Sequence, residues 1–168
     1  MYFTTMETPL FLTVLVMTVL CASSSVAITS VDGLAGLKNF DVMVGELSPF
    51  ASEIGLTKDQ LEKAAELKLS SAGIELKIPT DAFLYINLDV VRTTKEGVGK
   101  TYVANLHLSL NQTVILKRDA SHKVPAAITW HANSFFGIPD NKGTEPVKQN
   151  LEDLLDVFIN DYLKANPR

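Results

Sequence analysis

The chain has 168 residues, of which 46% are hydrophobic and 20% charged. That is enough apolar material for one packed domain and too little charge for a disordered chain. Lys and Arg number 15 against 19 Asp and Glu, a formal net charge of −4, which argues against nucleic acid as a partner because phosphate binding needs a basic footprint.

The N-terminus reads as a targeting segment. Leu10 to Ala22 is a weakly polar-to-apolar run, short for a membrane span, which takes about 20 residues. Ser25-Val26-Ala27 then offers small residues at the two positions that a signal peptidase reads. Residues 1–27 are therefore expected to be a signal peptide cleaved after Ala27, with retention of the segment as an anchor the alternative. No Lys or Arg precedes Lys38, a departure from the basic start such signals usually have. Leu20 is too large for a lipidation site at Cys21, the single cysteine. Cleavage would leave a chain without thiol, disulfide or Cys-ligated zinc. Contact with the membrane is expected only transiently, through the signal peptide.

Residues 28–37 look like a short lead-in, and residues 38–168 like a single domain. Phe40 to Leu47 reads as a first strand, ended by Ser48-Pro49. Thr57 is placed to cap a helix, with Gln60 at capping-box spacing. Leu61, Ala65, Leu69 and Ala72 share one face, and Gly73 stands where a left-handed C′ residue is wanted. Ile74, Leu76 and Ile78 then alternate as a strand closed by Pro79. Leu84, Ile86, Leu88 and Val90 share one face of the next strand, with Tyr85, Asn87 and Asp89 on the other. Gly97 and Gly99 mark a turn into a long strand from Lys100 to Lys117.

Parity constrains the register of these two strands, since apolar rows must meet apolar rows. Pairs whose numbers sum to 194 or 196 satisfy it, as in Leu84 with Leu110. Residues 118–123, with the basic cluster Lys117, Arg118, His122 and Lys123, read as a solvated polar loop. Val124 to His131 is a further strand, with Pro125 placing it at an edge or at its own start, and Asn133 to Gly143 reads as a loop. The last element is a helix capped by Thr144 or Glu145 with Pro146 in its first turn. Val147, Leu151, Leu154, Leu155, Phe158, Tyr162 and Leu163 line its apolar stripe. Glu152, Asp153, Asp156 and Asp161 decorate the other side.

The order is β-α-β-β-β-β-α. A mostly antiparallel sheet of four to five strands must cover one apolar face, and two helices are available for it. The expected fold is a two-layer α+β roll with the opposite face of the sheet open.

That open face would carry Asn87, Asp89, Asn105, His107 and Ser109. A His–carboxylate pair there could orient a base, but Ser109 lies about 7 Å along the strand from His107. A flat sheet also supplies no pocket and no oxyanion donors. The row is read as a wet or partner-binding face, and the chain as not an enzyme. His107, His122 and His131 are scattered without metal-ligand spacing, and no glycine-rich phosphate loop follows any strand. No metal or cofactor is expected. Asn111-Gln112-Thr113 matches an N-glycosylation sequon. Trp130, Phe135 and Phe136 form an aromatic group read as core and lid packing, or as the lining of a ligand site.

The runs "LSPFASEIGLTKDQLEKAAELKLSSAGIEL", "LYINLDVVRT" and "LLDVFINDYLKANP" together resemble an uncharacterised family of small exported bacterial proteins. The likeness covers residues 40–168 and carries no functional residue over. The element order is similar to the α+β modules of periplasmic and outer-membrane assembly proteins, such as the lipopolysaccharide-assembly lipoprotein and the N-terminal domain of the Tol-system translocation protein. The missing lipidation motif departs from the lipoprotein members. The resemblance implies an exported periplasmic or cell-envelope protein. The expected function is non-enzymatic contact with another envelope protein. The alternative is binding of a small apolar ligand between the helix layer and the sheet.

Overall fold

The computed structural model describes residues 26–27, 31–76, 80–95, 98–139 and 141–167. The apolar run Leu10–Ala22, Cys21, Ser25, Ile78, Pro79 and Gly97 lie outside the described residues. The elements are β1 (Val26–Ala27), a 3-10 turn (Val31–Leu34), β2 (Asp41–Val44), α1 (Pro49–Glu53), α2 (Lys58–Ser71), β3 (Ala82–Lys95), β4 (Val98–Leu116), β5 (Asp119–Pro139) and α3 (Glu145–Ala165). The fold is α+β. Its sheet is open and mixed, in the order β1-β5-β4-β3-β2, with four main strands and the two-residue β1. β2 and β3 run parallel, and the other pairs are antiparallel.

The even residues of β3 and β4 form the floor of the core. Leu84 faces Leu110, Ile86 faces Leu108 and Leu88 faces Leu106, all at the sum of 194. All six are buried. α3 packs over β4 and β5, α2 over β2 and α3, and α1 over β3. α2 starts with a complete capping box between Thr57 and Gln60. It ends in a left-handed Gly73, φ 74°. There the N–H of Ile74 donates to the Leu69 carbonyl and that of Gly73 to Ser70, which satisfies carbonyls that a helix end leaves unpaired.

Several elements differ from the sequence reading. The first strand is only Asp41–Val44, and Pro49–Glu53 forms a short helix instead of a plain turn. Ile74 is buried as the anchor of the α2 terminus, and 74–76 adopt no strand. The expected polar loop at 118–123 is a turn at Lys117-Arg118 followed directly by strand.

β5 does not stop at His131. Ala132, Ser134, Phe136 and Ile138 continue the buried alternation to Pro139. Small and glycine residues hid that period.

On α3, Ile159 is buried and Leu163 is exposed. Asp161, assigned to the wet side, is buried and accepts the Trp130 indole N–H at 3.1 Å. Thr144 holds the N-cap position without a side-chain bond, and Pro146 sits in the first turn.

The lead-in is part of the packed unit. Leu34 and Phe40 are fully buried. Asn166, just past α3, donates to the Leu34 carbonyl and accepts from the Gly36 N–H, both at 2.9 Å. The Tyr162 hydroxyl donates to the Leu37 carbonyl at 2.9 Å.

Candidate functional site

The helices cover one face of the sheet, so the odd residues of β2, β3 and β4 point to the other. The register lays them out in rows across the strands. Met43, Tyr85, Ser109 and His131 form one row. Asn87, His107 and Asn133 form the next, then Asp89, Asn105 and Phe135. The five polar residues singled out in the sequence, Asn87, Asp89, Asn105, His107 and Ser109, therefore do share one open face.

They are not equally wet. Ser109 is only 2% exposed, lying between Tyr85 and His131 in its row. Asn111 is also buried, and its Nδ2 donates to the Ser109 carbonyl at 3.1 Å and to Ser109 Oγ at 3.0 Å. The sequon amide is thus engaged within the folded chain. Tyr85 reaches across Gly45, where a β-carbon would stand 2.4 Å from the Tyr85 hydroxyl. Only glycine leaves that ring its place. Phe83 packs edge-on against Tyr85, with centroids 6.4 Å apart.

His107 and His131 come together diagonally across β4 and β5, with ring centroids 5.7 Å apart. Partial burial, and then the neighbouring His131, push the His107 imidazole below its usual range. Asn87 Nδ2 donates to Asp89 Oδ2 at 3.0 Å, so these two members of the row engage each other. Pairing of His107 with His131 was illegible in the sequence because the β4–β5 register is interrupted by bulges. Among the described residues no group of three or more His, Cys, Asp or Glu is placed to hold a metal ion.

The aromatic group divides between the two faces. Trp130 is buried in the core, edge-on to Phe158 with centroids 4.9 Å apart. Phe136 is buried on the same face of β5. Phe135 points to the open face and is 64% exposed. Two clefts, of about 590 and 730 Å3, lie by the lead-in at Ala35–Asn39 and at the C-terminal end of α2. Neither is lined by Trp130, Phe135 or Phe136. Among the described residues no helix is long and apolar enough to cross a membrane.

No protein-family model and no curated protein sequence matches the chain. Its fold is similar to that of a subunit of a PelC dodecamer from Paraburkholderia phytofirmans, at 15% identity and a TM-score of 0.43, over 85% of this chain and 95% of that one. It is also similar to a minor lipoprotein from Acinetobacter baumannii, at 12% identity and a TM-score of 0.38, over 76% and 92% of the two chains.

Proposed function

We propose that this is an exported cell-envelope protein that acts without catalysis, by contact with another envelope protein through the open face of its sheet. The observation that carries the reading is the composition of that face. Met43, Val91 and Phe135 are exposed large apolar side chains, set among Asn87, Asp89, Asn105 and His107. The polar groups lie in the middle rows and the apolar side chains around them, so a protein partner meets hydrogen-bonding groups and apolar contact area on one surface. An open sheet face of this kind offers neither the enclosed donors nor the water exclusion on which catalysis depends.

Export rests on the apolar run ahead of Ser25-Val26-Ala27. Cleavage after Ala27 would remove β1, which pairs Val26 and Ala27 with Asn133 and Ala132. The β5 edge would then be unpaired there. The intact mass of the exported product checks this, with Ile28 expected as its first residue. A cytosolic product that retains residues 1–27 refutes export.

The contact is tested by placing a photo-crosslinking side chain at Asn105 in cells. A discrete adduct that disappears with Phe135→Glu is expected. The same probe at Leu67, exposed on α2, should give none. Adducts from both positions, or from neither, refute the assignment of the face.

A further inference from the structure

We propose that the outer part of the β4–β5 hairpin, residues 113–127, is an arm that docks on an anionic lipid surface. The arm leaves the sheet. β3 begins at Ala82, opposite Gln112, and β1 reaches β5 only at Ala132 and Asn133. Among the described residues, the two strands beyond Gln112 pair with each other alone. The buried core stops at Leu110 on one strand and resumes at Trp130 on the other. A two-stranded ribbon with both edges free is marginal in water. Partners of some kind normally cover such edges, or charge guards them.

Charge is segregated onto this arm. It carries Lys117, Arg118 and Lys123 against Asp119, a net +2, in a chain whose total is −4. The remainder therefore carries −6. The three cations are exposed, and among the described residues none forms an ion pair. Asp119 is exposed and is engaged by its own bend, accepting from Ser121 N–H at 3.1 Å and Ser121 Oγ at 2.6 Å. The three cations are therefore exposed and unpaired, and they outnumber the one local carboxylate.

Apolar side chains accompany them on both faces of the ribbon. Val114 pairs with Val124, with Leu116 on the same side, and all three are half-buried. On the other side Ile115 stands opposite Lys123 and is 59% exposed. Basic residues are drawn to an anionic leaflet, and apolar neighbours enter the boundary between headgroups and acyl chains. A fluid surface can meet both faces of a narrow ribbon at once. A partner strand would cover one edge and leave the cations unused. The acidic remainder of the molecule would be held away from the surface, and the open sheet face stays available for the contact proposed above.

The test uses the processed protein recovered after export, sedimented with vesicles of phosphatidylglycerol and phosphatidylcholine or of phosphatidylcholine alone. The readout is the ratio of binding to the two, which an apolar segment without charge does not move. Binding to the anionic vesicles only is expected, weakening with salt. Each basic residue near such a surface strengthens binding about five-fold. The triple variant Lys117→Gln, Arg118→Gln, Lys123→Gln should therefore lose roughly 100-fold. A variant that keeps the charges, Lys117→Arg with Lys123→Arg, should bind as the parent does. Equal binding to both vesicles, or an unchanged triple variant with a parent-like melting curve, overturns the proposal. So does self-association through the arm in the absence of vesicle binding. Loss of the Asn105 crosslink with vesicle binding intact would instead count against the protein contact alone.

Discussion

Asp161 is a charged residue that its type assigns to water, yet it stands seven residues after Leu154 and three after Phe158, on the apolar side of α3, and is buried against Trp130. Its second oxygen, Oδ1, lies 3.7 Å from Lys164 Nζ. One carboxylate thereby satisfies the one polar atom of a buried indole. Asp161→Ala should cost about 1–3 kcal/mol, because it leaves the indole N–H desolvated without an acceptor. Asp161→Asn, which keeps an acceptor, should cost less. Urea denaturation of the two variants checks the difference. Burial also governs His107. Its folded-state pKa lies below the ordinary 6.5, so as pH falls the unfolded chain takes up this proton first. Stability is full above that value and declines as the solution is acidified through it. His107→Gln should flatten the fall in melting temperature between about pH 7.5 and pH 5. An unchanged slope would show that other groups carry it.

At the scale of elements, β5 is the strand whose irregularities matter. Thr129 is an extra residue between the pairs Leu110–Trp130 and Asn111–Ile128. It is held by Gln112, whose Nε2 donates to Thr129 Oγ1 at 2.6 Å and to the Gly33 carbonyl at 2.8 Å. The bulge reverses the facing of the strand and brings Ile128, 58% exposed, to the open side. Further out, Pro125 and Ala126 stand opposite the single Thr113. Ala126 is left-handed there, with φ 53°, a conformation that costs a non-glycine residue about 1–2 kcal/mol. Ala126→Gly should therefore be stabilising, by up to about 1 kcal/mol, where a glycine in an ordinary strand would weaken it. Equilibrium unfolding reads the sign. α3 is the main cover of the sheet, and Phe158 sits at its centre, fully buried between Phe40 and Trp130. Phe158→Ala should cost about 3–5 kcal/mol. Truncation after Lys142 should abolish cooperative unfolding. A truncated chain that melts cooperatively would instead free the α3 stripe for a partner.

The whole molecule divides into a body and an arm. The body is tied at its start and end, since Asn166 and Tyr162 hold the residues around Leu34 and Leu37. Lys68 of α2 joins Asp156 of α3 at 2.8 Å, a hydrogen bond that raises the lysine above its usual range. No buried core side chain lies in the arm. Replacing residues 114–124 by a two-residue turn should accordingly leave the melting temperature within about 4 °C of the parent, equivalent to roughly 1 kcal/mol in a domain of this size. A larger loss would show that the arm supports the body, and differential scanning calorimetry decides it.

What could be read without a structure was periodic and local. The capping box at Thr57, the left-handed Gly73, the apolar stripe of α3 through Phe158 and the β3–β4 register all follow from short-range spacing and parity. Each constrains neighbours in sequence, or two strands joined by a short turn. What only the tertiary structure decided depends on residues far apart in the chain. Three register shifts between β4 and β5 change the parity of β5, so neither the exposure of Ile128 nor the approach of His131 to His107 could be counted out from alternation. The burial of Asp161 required Trp130, 31 residues away, to arrive with a hydrogen to donate. The separation of Phe135 from Trp130 and Phe136 followed once the strand ran on to Pro139. A pleated strand sends alternate side chains to opposite faces, and the length of the strand was set by pairing across the sheet.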